Sequence, residues 1–172
     1  PPGALARREG GQAVEGGEGG DGVALDERGV QLGARRIGRR LLARVGVVDP
    51  TSLDDYRAHG GYAALRRALE MGPARVIREL TDAGLSGRGG AAFPTGRKWD
   101  VVAKSATRPR HVVCNADESE PGTFKDRVLM ECDPFALVEA MTIAGFTVGA
   151  EHGWIYLRAE YPLAAERLEQ SI

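Results

Sequence analysis

The run HVVCN at 111–115 and the run WIYLR at 154–158 bracket one long helix-forming segment, DPFALVEAMTIAGFTVG, which starts at Asp133-Pro134. Short apolar runs bounded by polar turns read as buried strands. A strand, long helix, strand order folds almost always as a right-handed crossover between parallel neighbours. An α/β fold with a parallel βαβ unit is therefore predicted. Leu137, Val138, Met141 and Ala144 or Gly145 are expected to face the core, and Pro162 to open a last helix, LAAERLEQSI. A parallel sheet of two strands cannot cover its own faces or edges, so the sheet is expected to be incomplete in this fragment, a domain cut short.

Three helices are expected ahead of that unit. In TSLDDYRA, Ser52 suits an N-cap, with Asp54 and Asp55 in the first turn. GYAALRRALEMG places Tyr62, Leu65 and Leu69 on one stripe and ends at Gly72. PARVIRELTDAG puts Pro73 at the first helical position, buries Val76, Ile77 and Leu80, and stops at Gly84. A fourth helix, KWDVVAKSA, would turn Trp99, Val102 and Ala103 inward. Residues 1–33 hold 10 of the 24 glycines and almost no apolar periodicity, and read as a flexible Gly-rich linker. Residues 34–83 form an N-terminal helical segment and 84–172 an α/β region.

Several functions are excluded by charge and cysteine usage. The net charge is −1, and the locally basic RRIGRRLLAR at 35–44 has no interleaved aromatic residue to stack bases. It reads as a solvated face beside Ile37, Leu41 and Leu42, with no nucleic-acid partner. No apolar stretch approaches the ~20 residues that span a bilayer, so direct membrane insertion is not expected. Cys114 and Cys132 stand 18 positions apart without a CxxC, and His59, His111 and His152 are isolated. Two reduced thiols of a cytosolic protein, and no metal site, are expected.

The chemistry is concentrated in two stretches. GLSGRGGAAFPTGRKWD, 84–100, crowds five glycines, two arginines and a lysine around Phe93-Pro94. It lacks the Walker spacing. Gly87, Gly89 and Ala92 meet a G-x-G-x-x-A spacing, but a helix precedes it where a dinucleotide fold needs a strand. The same physics serves a different topology. Glycine backbones let N–H groups converge on an anion, Arg88 and Lys98 add charge, and Thr95 brings a helix N-terminus to the ligand. A glycine-rich turn that merely redirects the chain is the alternative. The second stretch, NADESEPGTFKDR at 115–127, follows a strand's carboxyl end, where α/β folds place ligands. Asn115, Asp117, Glu118, Ser119 and Glu120 suit the hydroxyls of a sugar or ribityl chain, or form an ordinary solvated turn.

GRGGAAFPTGRKW and CNADESEPGTFKDR together resemble the flavin subunit of NADH:ubiquinone oxidoreductase, respiratory complex I, of the 51 kDa type. They are similar also to the flavin subunits of NAD-reducing hydrogenases and NAD-dependent formate dehydrogenases. VGVVDPTSLDDYRAHGGYAALRRAL and GWIYLRAEYPLAAERL extend the likeness to roughly 45–172. The resemblance implies that 84–172 is the first half of an FMN- and NADH-binding domain. It implies hydride exchange between NAD(H) and FMN, with electrons passing singly to iron–sulfur clusters. By motif, Gly87, Arg88, Gly89, Gly90 and Lys98 would lie on the FMN phosphate side, and Phe93 in the NADH pocket. Asn115, Asp117, Glu118 and Ser119 would hold the ribityl chain and flavin, and Glu120 would lie beside the reacting nicotinamide as the catalytic residue.

Many relatives carry GAGF where Gly90-Ala91-Ala92-Phe93 stands, and an aromatic residue where Val101 stands. The family continues with a Gly-Glu-Glu segment, a ubiquitin-like domain and a helical domain whose CxxCxxC ligates a 4Fe–4S cluster. None of these motifs is in this sequence. The implied partners are the other subunits of a multi-subunit redox complex, a 24 kDa-type iron–sulfur subunit among them. The implied location is cytoplasmic, peripheral to the inner membrane through a complex. A truncated, non-catalytic nucleotide-binding or assembly fragment is the alternative reading.

Overall fold

The computed structural model describes residues 24–25, 31–32, 41–88 and 90–172. The chain divides into two compact units, residues 1–34 and 35–172. In the first, Ala24–Leu25 (β1) and Gln31–Leu32 (β2) form a short antiparallel pair. Apart from that pair, the linker expected over 1–33 lies outside the described residues, as do 35–40 of the basic run with Ile37.

The second unit runs Leu53–Ala58 (α1), Ala63–Met71 (α2), Pro73–Asp82 (α3), Thr95–Lys104 (α4), His111–Ala116 (β3), Lys125–Cys132 (α5), Pro134–Val148 (α6), His152–Leu157 (β4) and Pro162–Ser171 (α7). β3 and β4 pair in parallel, in register from His111 opposite His152 to Ala116 opposite Leu157. The fold is α/β with the expected βαβ unit and an open two-stranded sheet. One helix was not foreseen. Sequence periodicity leaves KDRVLMEC unassigned, yet it forms α5, carrying Asp126 in its first turn and an Arg127–Glu131 pair at 2.8 Å one turn apart.

Alternation along the strands divides the sheet. Ala116 joins Met130, Tyr161, Ala164 and Leu168 in one core cluster, with Cys114, Leu137, Ile155 and Leu157 packed against it. The opposite face stays open: Val113, Trp154 and Tyr156 are all more than half exposed. There the Trp154 indole donates to His111 Nδ1 at 3.0 Å.

A second cluster, Val48, Tyr56 and Phe135, fixes the N-terminal helices on α6. Each of its large side chains contributes about 1.5–3 kcal/mol on burial. Ser52 caps α1 as expected, its hydroxyl accepting from the Asp55 N–H at 3.1 Å. The buried carboxylate of Glu139, on α6, accepts from the Tyr56 hydroxyl at 2.5 Å and from the backbone N–H groups of Tyr62 and Leu65 at 2.8 and 2.9 Å. That grip corrects the expected α2 stripe. Tyr62 sits ahead of the helix in the left-handed region (φ 60°), Ala68 faces the core, and Leu69 is 53% exposed. The solvated-face reading of the basic run also fails at its end. Arg44 donates to the buried Asp133 at 2.9 Å, and its guanidinium lies 4.9 Å from the centre of the Tyr56 ring. Burial nonetheless holds the Asp133 carboxyl above its usual range.

Arg110, just ahead of β3, gathers helix C-termini. It donates to Ala103 O at 3.0 Å, to Ser105 O, and to Val148 O at 2.5 Å, so one cation serves the negative ends of α4 and α6.

Candidate functional site

The glycine stretch leaves α3 at Asp82 and enters α4 at Thr95. It closes on itself like a small hairpin: Thr95 N–H donates to Leu85 O at 2.8 Å and Gly87 N–H to Phe93 O at 2.9 Å, with a bridge between Ser86 and Pro94. Gly87 therefore spends its amide inside the loop. Gly89 lies outside the described residues; Arg88, Gly90 and Lys98 are exposed, and Phe93 is 48% exposed with the Arg97 guanidinium 5.9 Å from its ring centre. Among the described residues neither Arg88 nor Lys98 is in an ion pair. No side chain caps the N-terminus of α4. An uncapped helix start beside unpaired cations is the chemistry an anionic phosphate needs.

Two small residues shape this loop. A Cβ at Gly96 would come within 2.9 Å of the Thr81 backbone nitrogen, so glycine lets the first turn of α4 press against the end of α3. Ala92 has φ 43°, in the left-handed region, which costs a non-glycine residue about 1–2 kcal/mol. The Ala92 methyl thus sits on a strained turn.

The acidic stretch begins at the carboxyl end of β3. Asn115 Oδ1 accepts from the Asp117 N–H at 3.1 Å, and Asp117 Oδ2 from the Ser119 hydroxyl at 2.5 Å, so three candidate residues share one turn. Asn115, Asp117, Ser119 and Glu120 are exposed. Glu118 is not: it is 1% exposed, and its carboxylate accepts from Asp126 N–H at 2.9 Å, Arg127 N–H at 3.1 Å and the Tyr161 hydroxyl at 3.3 Å. Expected among the ligand-facing residues, Glu118 in this structure caps α5. Among the described residues no hydrogen bond or ion pair links the glycine loop to the acidic turn.

Sequence reasoning missed the residues that hold this turn. Arg158, just past β4, donates to the backbone oxygen of Glu118, and the guanidiniums of Arg127 and Arg158 lie 5.3 and 5.2 Å from the centre of the Tyr161 ring. Lys125 Nζ stands 4.0 Å from Glu118 and 2.7 Å from Asp126, whose hydrogen bond holds the ammonium above its ordinary pKa. Burial, with the nearby Glu118 charge, pushes Tyr161 up, and burial raises the Cys114 thiol, which keeps it protonated and unreactive. A basic residue ending the second strand was the available signal for Arg158, since ligands gather where strands end.

A groove of about 970 Å³ opens elsewhere, along β4, α6 and α7, lined by apolar residues such as Val112, Met141, Ile155 and Ala165. None of the candidate residues from Gly87 to Glu120 lines it. Among the described residues no helix is long and apolar enough to cross a membrane, and no group of three or more His, Cys, Asp or Glu side chains is placed to hold a metal ion.

A family model described as the Nuo51 FMN-binding domain matches residues 80–172, more than half of the chain. A component of the NADH-quinone oxidoreductase of Rhizobium meliloti (strain 1021) is 49% identical over 133 residues, covering 77% of this chain and 32% of that protein. A component of the NADP-reducing hydrogenase of Solidesulfovibrio fructosivorans is 49% identical over 127 residues, covering 74% of this chain and 26% of its own. Among solved structures, an NAD+-reducing NiFe hydrogenase in the air-oxidized state matches with a TM-score of 0.59 and 37% identity, over 76% of this chain and 21% of that one. The chain thus spans between about a quarter and a third of the length of these curated relatives.

Proposed function

The chain belongs to the family of the Nuo51 FMN-binding domain, and on that premise we propose that it carries the first half of an FMN site at which NAD(H) and flavin exchange hydride. Bound FMN supplies the step between a two-electron hydride donor and one-electron acceptors. This chain's own residues bind and orient. The open N-terminus of α4, with Arg88, Gly90 and Lys98, receives the phosphate. Asn115, Asp117 and Ser119 take the ribityl hydroxyls, Phe93 stacks in the nicotinamide pocket, and Glu120 lies beside the reacting ring. The observation that carries the reading is the uncapped start of α4 between exposed, unpaired cations. Electrons would leave through iron–sulfur clusters of partner domains or subunits, a 24 kDa-type subunit among them. The location would be cytoplasmic, at a membrane only through such a complex.

Titrating FMN with the 172-residue chain, followed by flavin fluorescence, tests this. Stoichiometric quenching is the expected result. With FMN bound, Glu120→Gln should slow flavin reduction by NADH about tenfold or more without releasing the flavin, as read by stopped-flow absorbance. No uptake of FMN by the folded chain would count for a second reading, a nucleotide-binding or assembly fragment without turnover. That reading draws on Glu118, whose carboxylate is fully occupied by α5 and Tyr161.

A further inference from the structure

We propose that Arg158 is a positioning residue of the acidic turn, holding the Glu118–Ser119 peptide so that Ser119 and Glu120 keep one orientation; its link to flavin rests on the reading above. Three donors leave one guanidinium. One reaches the backbone oxygen of Glu118, and Nε and the other terminal nitrogen reach the Glu160 carboxylate at 3.2 Å each. The Glu160 pair is peripheral, since that carboxylate is 67% exposed and screened pairs stabilise little. The contact with Glu118 is different in kind. Glu118 is then fixed at two points, its carboxylate beneath the first turn of α5 and beside Tyr161, its carbonyl on Arg158.

A trans peptide points its C=O and N–H in opposite directions. Holding the Glu118 carbonyl on the guanidinium therefore aims the Ser119 N–H away from it, and fixes the direction in which the chain continues to the exposed Ser119 and Glu120. Ser119 in turn hydrogen-bonds Asp117, so the residues from Asp117 to Glu120 share a single arrangement set by a cation just past the neighbouring strand. A lysine has the charge but no planar fork with which to serve Glu118 and Glu160 together.

Hydrogen exchange of the unliganded chain tests this without flavin. Arg158→Gln should raise amide exchange across 117–123 about tenfold, leaving β3, β4 and α7 protected, and Arg158→Lys should restore part of the protection. Glu160→Gln, which removes the ion pair alone, should change nothing there. FMN affinity should fall about tenfold in Arg158→Gln, with an altered visible circular dichroism of the bound flavin, and hold in Glu160→Gln. Unchanged exchange at 117–123 in Arg158→Gln, or an equal rise in Glu160→Gln, overturns the proposal. A wild-type chain that takes up no FMN counts against the reading of the site instead, and the exchange comparison still decides whether Arg158 holds the turn.

Discussion

Two buried glutamates use the same arrangement in different parts of the molecule. Glu139, on α6, accepts a tyrosine hydroxyl and two amides ahead of and within the first turn of α2; Glu118, after β3, accepts a tyrosine hydroxyl and two amides in the first turn of α5. In both, a carboxylate satisfies N–H groups that a helix start leaves open, and the helix dipole favours its charge. They differ in reach and tightness. Glu139 joins elements about 80 residues apart in sequence and binds Tyr56 at 2.5 Å, whereas Glu118 binds Tyr161, 43 residues on, at 3.3 Å and takes its amides from 8 and 9 residues on. The first ties the N-terminal helices to the sheet domain. The second sets the shape of a turn whose outer residues are exposed. One interaction type thus serves the fold in one place and the candidate site in the other.

The comparison ranks the consequences of breaking each socket. Glu139→Gln removes the charge and replaces one of two acceptor oxygens by an amide NH2, so at least one of the three donors loses its acceptor. The expected loss of stability is about 2–4 kcal/mol, read from the midpoint of urea unfolding. Glu118→Gln should cost less, about 1–3 kcal/mol, because its bond to the tyrosine hydroxyl is the longer, 3.3 Å against 2.5 Å. It should instead weaken FMN binding by more than its loss of stability accounts for. Equal stability losses, with no separate effect on FMN, would erase the distinction between a fold socket and a site socket.

Much of the frame was legible in the sequence because local rules agreed with the tertiary structure. Ser52 as a cap, Pro73, Pro134 and Pro162 at helix starts, and the strand from 111 fall where periodicity and capping place them, and the second strand starts two residues earlier than expected, at His152. The failures share a cause in long-range polar contacts. Periodicity put Leu69 inward, but Glu139 pulls the Tyr62 and Leu65 amides toward α6, and Ala68 takes the buried position. KDRVLMEC lacks a clear apolar stripe, and α5 starts where Glu118 caps it. Composition grouped Glu118 with its exposed neighbours, because nothing local distinguishes an acid that caps a helix from one that awaits a ligand. At Ala92 the sequence flagged a departure from relatives, and only the backbone shows a left-handed residue there.

The smallest expected effect is also the one that separates the two sockets by pH. Burial, reinforced by the Glu139 hydrogen bond, raises the Tyr56 phenol well above its ordinary value of 10.0; burial and Glu118 raise Tyr161 as well, while Arg158 pulls it down. A phenol whose folded pKa lies above its unfolded pKa leaves stability untouched below about pH 10. Above that pH the unfolded chain ionises while the folded chain keeps its proton, so stability falls as pH rises toward the folded value. Tyr56→Phe should lose about 1–2 kcal/mol near neutral pH through its hydrogen bond. Its loss of stability between about pH 9.5 and 11 should then be shallower than that of the wild type. Tyr161→Phe should lose less than about 1 kcal/mol and flatten the same limb only slightly, since its bond is longer and two guanidiniums flank the ring. Thermal melts across that range check the ordering. A larger flattening from Tyr161→Phe than from Tyr56→Phe would reverse it, and would mean that the turn beneath Glu118 is the more tightly closed of the two.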